Sequence, residues 1–223
     1  DFCLSRGLGD VYKRQQTQSS SIEALAKCYG IWEGVRSNHV IDSDGAFAGP
    51  DGSSRSLSTK EDRGLLMELR ARADLIVVDA ATARIESYRA PSSGAKLAIF
   101  SAGGDFSGIP AVDNPEESVF LFSPSEVSSP KYPNLKATLT QSNPFLGFLE
   151  WTGQNGFSTV LLEAGPTLTS MAFSLGIVKE SALTVTPRIL ESETASIRHP
   201  FDTNAQLVSL AHSTDASFTL WTH

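Results

Sequence analysis

Two runs of strand length, DLIVV (Asp74–Val78) and STVLLE (Ser158–Glu163), each lead almost directly into a stretch of helical period. Strand-length apolar runs alternating with a 3.6-residue period are the pattern of an α/β domain. Strands this apolar belong in a sheet covered on both faces, since a half-exposed strand would alternate apolar and polar residues. Each turn also sets unsatisfied backbone N–H groups and a positive helix end at the carboxyl edge of a strand, where open α/β sheets bind anions. Two such ends can hold the phosphates of a dinucleotide.

The same alternation runs through most of the chain. Val35–Ile41 reads as a strand, and Asp44–Ser56, rich in Gly, Asp and Ser, as a loop. Ser58 or Thr59 is placed to cap a helix through Ala71, with Leu65, Leu66 and Leu69 on one face. Asp79 is the natural N-cap of the helix AATARIES that follows DLIVV. Lys96–Ser101 and Ser118–Phe122 are further buried strands around a Gly-rich loop, Ala102–Pro110, and Leu135–Thr140 is a weaker strand. A helix is expected over Asn143–Asn155, ended by Gly156, and another from Pro166, where a missing N–H costs nothing, to about Leu175. Ser181–Thr186, Ala205–His212 and Ser217–Trp221 follow with little helix between them, which predicts antiparallel pairing at that end of the sheet. The opening DFCLSRGLGDVYKRQ has no initiating Met and no period, and Gln16–Ser21 is polar, so residues 1–21 read as a non-native or disordered leader and 22–223 as one domain.

Composition narrows the chemistry. With 40% hydrophobic and 19% charged residues over 223 positions, a sizeable core is available. The two cysteines, Cys3 and Cys28, match no metal or redox spacing, which points to a reducing, cytoplasmic setting. No apolar run approaches the ~18–20 residues that cross a bilayer, so no membrane role is expected. A net charge of −7 argues against a nucleic-acid partner. That charge is uneven: Arg36–Lys96 carries nine basic and nine acidic residues, whereas Leu97–His223 carries five and twelve. Cations for a phosphorylated ligand therefore lie mostly in the first stretch. His39, His199, His212 and His223 fall at no ligand spacing, and GxSxG, P-loop, HExxH, GxGxxG and zinc-deaminase elements are absent, so no metal is expected.

Asp44-Gly45, SLST (Ser56–Thr59), LRARADLIVVDAATARIESY (Leu69–Tyr88) and LLEAGPTL (Leu161–Leu168), in this order, resemble the reductase domain of bifunctional riboflavin-biosynthesis deaminase-reductases. The resemblance runs from about Ser37 to Arg188. It implies the dihydrofolate reductase-like fold: three layers, a central mostly parallel sheet with antiparallel C-terminal strands, and helices on both faces. It also implies a homodimer, and an activity in which NADPH reduces the ribosyl group of 5-amino-6-(5-phosphoribosylamino)uracil or a related pyrimidine or pterin. Carried over by position, Ala80 and Thr82 resemble cofactor contacts at one helix start, and Gly165, Pro166, Thr167 and Leu168 those at the other. Asp44, Ser58 and Arg70 resemble substrate-binding positions, Arg70 suiting a phosphate. Glu86 and Glu163 resemble catalytic carboxylates, suited to ribose hydroxyls and a protonated imine. Glu163 also stands out by position, because a carboxylate ending a buried strand needs a partner or a ligand.

Two positions depart from the family's pattern. Asp79 stands where Gly is usual, and Ala164-Gly165 where Gly-Gly is usual. An Asp N-cap uses the same donors and field that a phosphate would. The alternative to a reductase is therefore a non-catalytic or altered-ligand domain that keeps the fold with a degraded nucleotide site.

Overall fold

The computed structural model describes residues 5–6, 22–49, 52–114, 119–123, 144–187, 198–201 and 204–223. Its elements in chain order are β1 (Ser5–Arg6), α1 (Ile22–Cys28), β2 (Gly34–Ile41), α2 (Lys60–Arg70), β3 (Leu75–Asp79), α3 (Ala80–Ile85), β4 (Lys96–Phe100) and α4 (Pro110–Asp113). Then come β5 (Val119–Phe122), α5 (Pro144–Gln154), β6 (Thr159–Leu162), α6 (Pro166–Ser174), β7 (Val178–Val185), β8 (Gln206–His212) and β9 (Ser217–Thr222). The strands form one sheet in the order β1-β8-β9-β7-β2-β6-β3-β4-β5. All pairs from β7 through β5 are parallel, and β7–β9, β8–β9 and β1–β8 are antiparallel. The mostly parallel sheet and its antiparallel end match the sequence expectation. The expected strand at Leu135–Thr140 lies outside the described residues, as does most of 1–21.

The period of two along each strand builds the layers. In β3, Ile76 and Val78 enter one apolar cluster with Leu25, Leu65, Leu69 and Ala83, which covers one face with α1 to α4. Leu75 and Val77 enter the other with Phe145, Phe148, Leu168 and Ala172, from α5 and α6. Phe100, Phe122, Phe145 and Phe148 stack or meet edge to face at 4.9–6.2 Å between centroids, geometry that favours aromatic pairs beyond their buried area.

Local signals set the helix ends. The Thr59 hydroxyl caps α2 by accepting from the Asp62 N–H, and the Asp79 carboxylate caps α3 by accepting from the Thr82 N–H. Pro166 sits at the first turn of α6, and Gly156, at φ 74°, follows α5. Helix α1 is an addition to what the sequence predicts. Seven residues give too few repeats to reveal a period, yet Leu25 and Ala26 are buried. Gly64 in α2 makes room for this packing, since a Cβ there would lie 2.2 Å from Ile22 Cδ1.

One charged pair is built into the sheet. Arg36 and Glu180 are register partners of β2 and β7, and Arg36 is 0% exposed. Its Nε and Nη2 donate to Glu180 Oε2 at 2.8 and 2.5 Å, Nη2 also donates to the Tyr29 carbonyl, and the guanidinium lies 4.3 Å over the Trp32 ring. Burial pulls the Arg36 pKa down and Glu180 opposes it. Glu180→Ala should therefore cost about 3–5 kcal/mol in urea unfolding, because it strands a buried cation, and the double change to Arg36→Met with Glu180→Leu should recover most of that. A loss under about 1 kcal/mol in the single variant would contradict the assignment.

Candidate active site

The register of β3 on β6 pairs Val77 with Leu162, so Asp79 and Glu163 end neighbouring strands on the same edge of the sheet. A cavity of about 560 Å³ opens there, walled by β2, residues 47–48 and 52–58, α2, the 82–89 segment and residues 163–166.

Glu163 is 6% exposed and its demand for donors is met inside the protein. Arg70 Nε donates to Oε1 at 2.9 Å, and Arg70 Nη2 and the Tyr88 hydroxyl donate to Oε2 at 2.5 and 2.6 Å. The Arg70 guanidinium also lies 5.1 Å from the Tyr88 ring centroid. Burial works against the Arg70 charge, but the Glu163 carboxylate outweighs it and holds the guanidinium above its ordinary range. Burial, then the Glu163 charge, raises the Tyr88 phenol well above its usual value, so its proton stays on as a donor. Arg70, expected to meet a phosphate, thus spends its fork on Glu163.

Glu86 ties down the loop across the cavity. Its Oε1 accepts from the Ser54 N–H and hydroxyl at 2.8 and 2.9 Å, and Oε2 pairs with Arg55 Nε at 3.2 Å. Ser87 follows with φ 55°, the one non-glycine residue of positive φ among the described residues. This left-handed step costs ~1 kcal/mol or more and lets Glu86 and Tyr88, on either side of it, both line the cavity. Ser58 donates to Asp62 Oδ2 at 2.6 Å, and burial raises the Asp62 pKa. Arg63 and Arg89 also line the cavity and are exposed, and neither forms an ion pair among the described residues.

The turn at Ala164-Gly165 is held from two sides. The Ala164 carbonyl accepts from His39 Nε2 and from the Thr169 hydroxyl, both at 2.9 Å. The Gly165 N–H donates to Asp79 Oδ2 at 2.6 Å, and the same oxygen accepts from the Thr82 hydroxyl at 2.8 Å.

Of the residues singled out in the sequence, Ser58, Arg70, Thr82, Glu86, Glu163, Gly165 and Pro166 line this one cavity. Asp44 stands in the exposed turn after β2, where the buried Asp42 carboxylate organises the chain by accepting from the Asp44 and Ala46 N–H groups. Ala80 and Leu168 are turned into the two apolar clusters, and Thr167 is exposed on α6. Tyr88, Asp62, His39, Arg55, Arg63 and Arg89 are among the lining residues that the sequence does not single out. The proximity of Tyr88 to Glu86 on a short helix exit was the one available signal. Among the described residues, no group of three or more His, Cys, Asp or Glu is placed to hold a metal, and no helix is long and apolar enough to cross a membrane.

His39 and His199 form a buried pair behind the turn. Because His39 Nε2 faces a carbonyl, its Nδ1 is the acceptor for His199 Nε2 at 3.3 Å, and His199 stacks on Phe47. Burial lowers His39 to about 4 and His199 to about 2. Both folded values lie below the ordinary one, so the unfolded chain takes up these protons first as pH falls. The associated stability is full above about pH 6.5 and is lost progressively below it, roughly 2 kcal/mol per histidine by pH 5. His199→Phe, which keeps the ring stack and removes one titration, should lessen the fall in Tm between pH 7 and 5. Equal falls in both proteins would contradict the neutral pair.

Comparison with known proteins places this geometry. The RibD C-terminal domain pattern matches residues 35–216. A pyrimidine reductase-like protein of Corynebacterium diphtheriae superposes with a TM-score of 0.73 at 22% identity, over 85% of this chain and 91% of that one. A diaminohydroxyphosphoribosylaminopyrimidine deaminase/5-amino-6-(5-phosphoribosylamino)uracil reductase of Thermotoga maritima gives 0.69 at 15% identity, over 85% of this chain and 56% of its own. This chain thus spans a little over half the length of that protein. Dihydrofolate reductase of Enterococcus faecalis gives 0.54 at 9% identity, over 85% and 95%, so the fold is dihydrofolate reductase-like. No curated protein matches in sequence. The match over most of the chain, on a fold with this cavity at its sheet edge, makes the chain a member of the RibD C-terminal domain family.

Proposed function

We propose that the chain is an oxidoreductase of the riboflavin-biosynthesis type whose cavity takes 5-amino-6-(5-phosphoribosylamino)uracil or a related pyrimidine or pterin. NADPH is the hydride donor in this reading, and a cytoplasmic homodimer is part of it. Family membership and the likeness to riboflavin-biosynthesis reductases support the reaction class. The observation that carries the substrate is the make-up of the cavity wall. Arg63 and Arg89 supply guanidinium groups with no ion-pair partner among the described residues, suited to a phosphate, while Glu86 and Glu163 lie on the same wall, suited to ribose hydroxyls and a cationic nitrogen. A volume of about 560 Å³ is that of a small-molecule site. The Tyr88 hydroxyl, which keeps its proton and donates a hydrogen bond to Glu163 Oε2, holds that carboxylate in place on the wall.

NADPH would supply the hydride, but the two turns that would meet its phosphates do not fit it as they stand. Their facing donors, the Thr82 and Gly165 N–H groups, are already bonded to Asp79. That one contact favours a second reading, a domain of the same fold that binds the phosphorylated pyrimidine with an altered or absent reductant. Calorimetric titration with 5-amino-6-(5-phosphoribosylamino)uracil separates the two when paired with nicotinamide absorbance at 340 nm. The pyrimidine should bind with micromolar affinity, and changing both Arg63 and Arg89 to Ala should weaken it by about tenfold or more. NADPH consumption would support the reductase, and binding without consumption the second reading. No pyrimidine binding would overturn both.

A further inference from the structure

Asp79 does more than cap a helix. Oδ1 accepts from the Thr82 N–H at 2.9 Å, and Oδ2 accepts from the Thr82 hydroxyl at 2.8 Å and from the Gly165 N–H, 86 residues away, at 2.6 Å. One carboxylate therefore satisfies a backbone donor on each of the two turns that close the strand ends of β3 and β6. Asp79 Oδ2 sits at the acceptor position of the Gly165 N–H and Oδ1 at that of the Thr82 N–H, so a phosphate oxygen cannot take either donor unless the carboxylate leaves. The opposite side of the turn is fixed by His39 and Thr169 on the Ala164 carbonyl, which keeps Gly165 from backing away.

We infer that Asp79 is a resident anion that occupies the phosphate place between the two turns and excludes a pyrophosphate-bridged dinucleotide from this cavity. The chain is thereby selective for a ligand carrying a single phosphate, held toward Arg63 and Arg89 on the other side. Two effects act together: the carboxylate uses the donors, and its charge repels a second anion brought to them. The inference takes the identity of the dinucleotide from the reductase reading above and sides with the second reading, in which the cavity binds the phosphorylated pyrimidine without that dinucleotide.

The test is fluorescence titration of the wild-type chain, Asp79→Gly and Asp79→Asn with NADPH, and in parallel with reduced nicotinamide mononucleotide, which has no pyrophosphate bridge. Wild type should show no saturation by NADPH into the millimolar range. Asp79→Gly, which clears both charge and bulk, should gain about tenfold or more in NADPH affinity, while the mononucleotide should bind all three proteins within about threefold. Asp79→Asn keeps the bulk and removes the charge, so it should fall between the two. It also decides the matter if the glycine variant fails to fold, as judged by circular dichroism. Micromolar binding of NADPH by wild type would overturn the inference, and so would folded variants that bind NADPH no better than wild type. Titration of the same samples with 5-amino-6-(5-phosphoribosylamino)uracil tells failure of this inference from failure of the substrate reading, because the pyrimidine does not depend on Asp79.

Discussion

A carboxylate at the end of a buried parallel strand must be matched by donors or it costs several kcal/mol, and this fold meets that demand twice on one sheet edge. The β3–β6 register brings Asp79 and Glu163 to the same level, and the two solve the problem in different ways. Asp79 turns to backbone, drawing the starts of α3 and α6 together. Glu163 turns to side chains, drawing Arg70 from the end of α2 and Tyr88 from beyond α3. The cavity is the space left between these two anchors.

Its remaining walls follow from that division. Because Arg70 is committed to Glu163, the positive charge on the wall that has no ion pair among the described residues falls to Arg63, two turns earlier on α2, and to Arg89. Because Tyr88 must reach Glu163 while Glu86 reaches Ser54 and Arg55, Ser87 is forced into the left-handed region. Strain of this kind persists where surrounding bonds over-determine it, and here the three hydrogen bonds to Glu86 and the one from Tyr88 to Glu163 do so on either side of Ser87. On the other side, a second anion brought within about 4 Å of Asp79 would meet roughly 4 kcal/mol of repulsion per unit charge at an effective dielectric of about 20.

The sequence made the fold legible because its signals are local. DLIVV and TVLLE are apolar enough to be buried strands, and Thr59, Asp79, Pro166 and Gly156 are helix punctuation readable within four residues. What stayed hidden depends on long-range register. Asp79 as an N-cap was readable, whereas its bond to Gly165 requires β3 and β6 to lie side by side. Glu163 was singled out for its need of a partner, but neither Arg70 as that partner nor Tyr88 as its second donor follows from spacing. In the Asp42–Asp44 turn the sequence favours the exposed Asp44, because burial of Asp42 is invisible without β2 in place. The two histidines that pack behind Ala164 come from positions 39 and 199 and carry no shared motif.

One carboxylate closes the phosphate place of an otherwise intact cavity. A crystal structure of the wild-type chain grown with both 5-amino-6-(5-phosphoribosylamino)uracil and excess NADPH tests it most directly. Density for the pyrimidine should lie between Glu163 and the Arg63–Arg89 side, with Asp79 still within hydrogen-bond distance of the Thr82 and Gly165 N–H groups. A dinucleotide pyrophosphate on those two N–H groups, with Asp79 swung away, would contradict it.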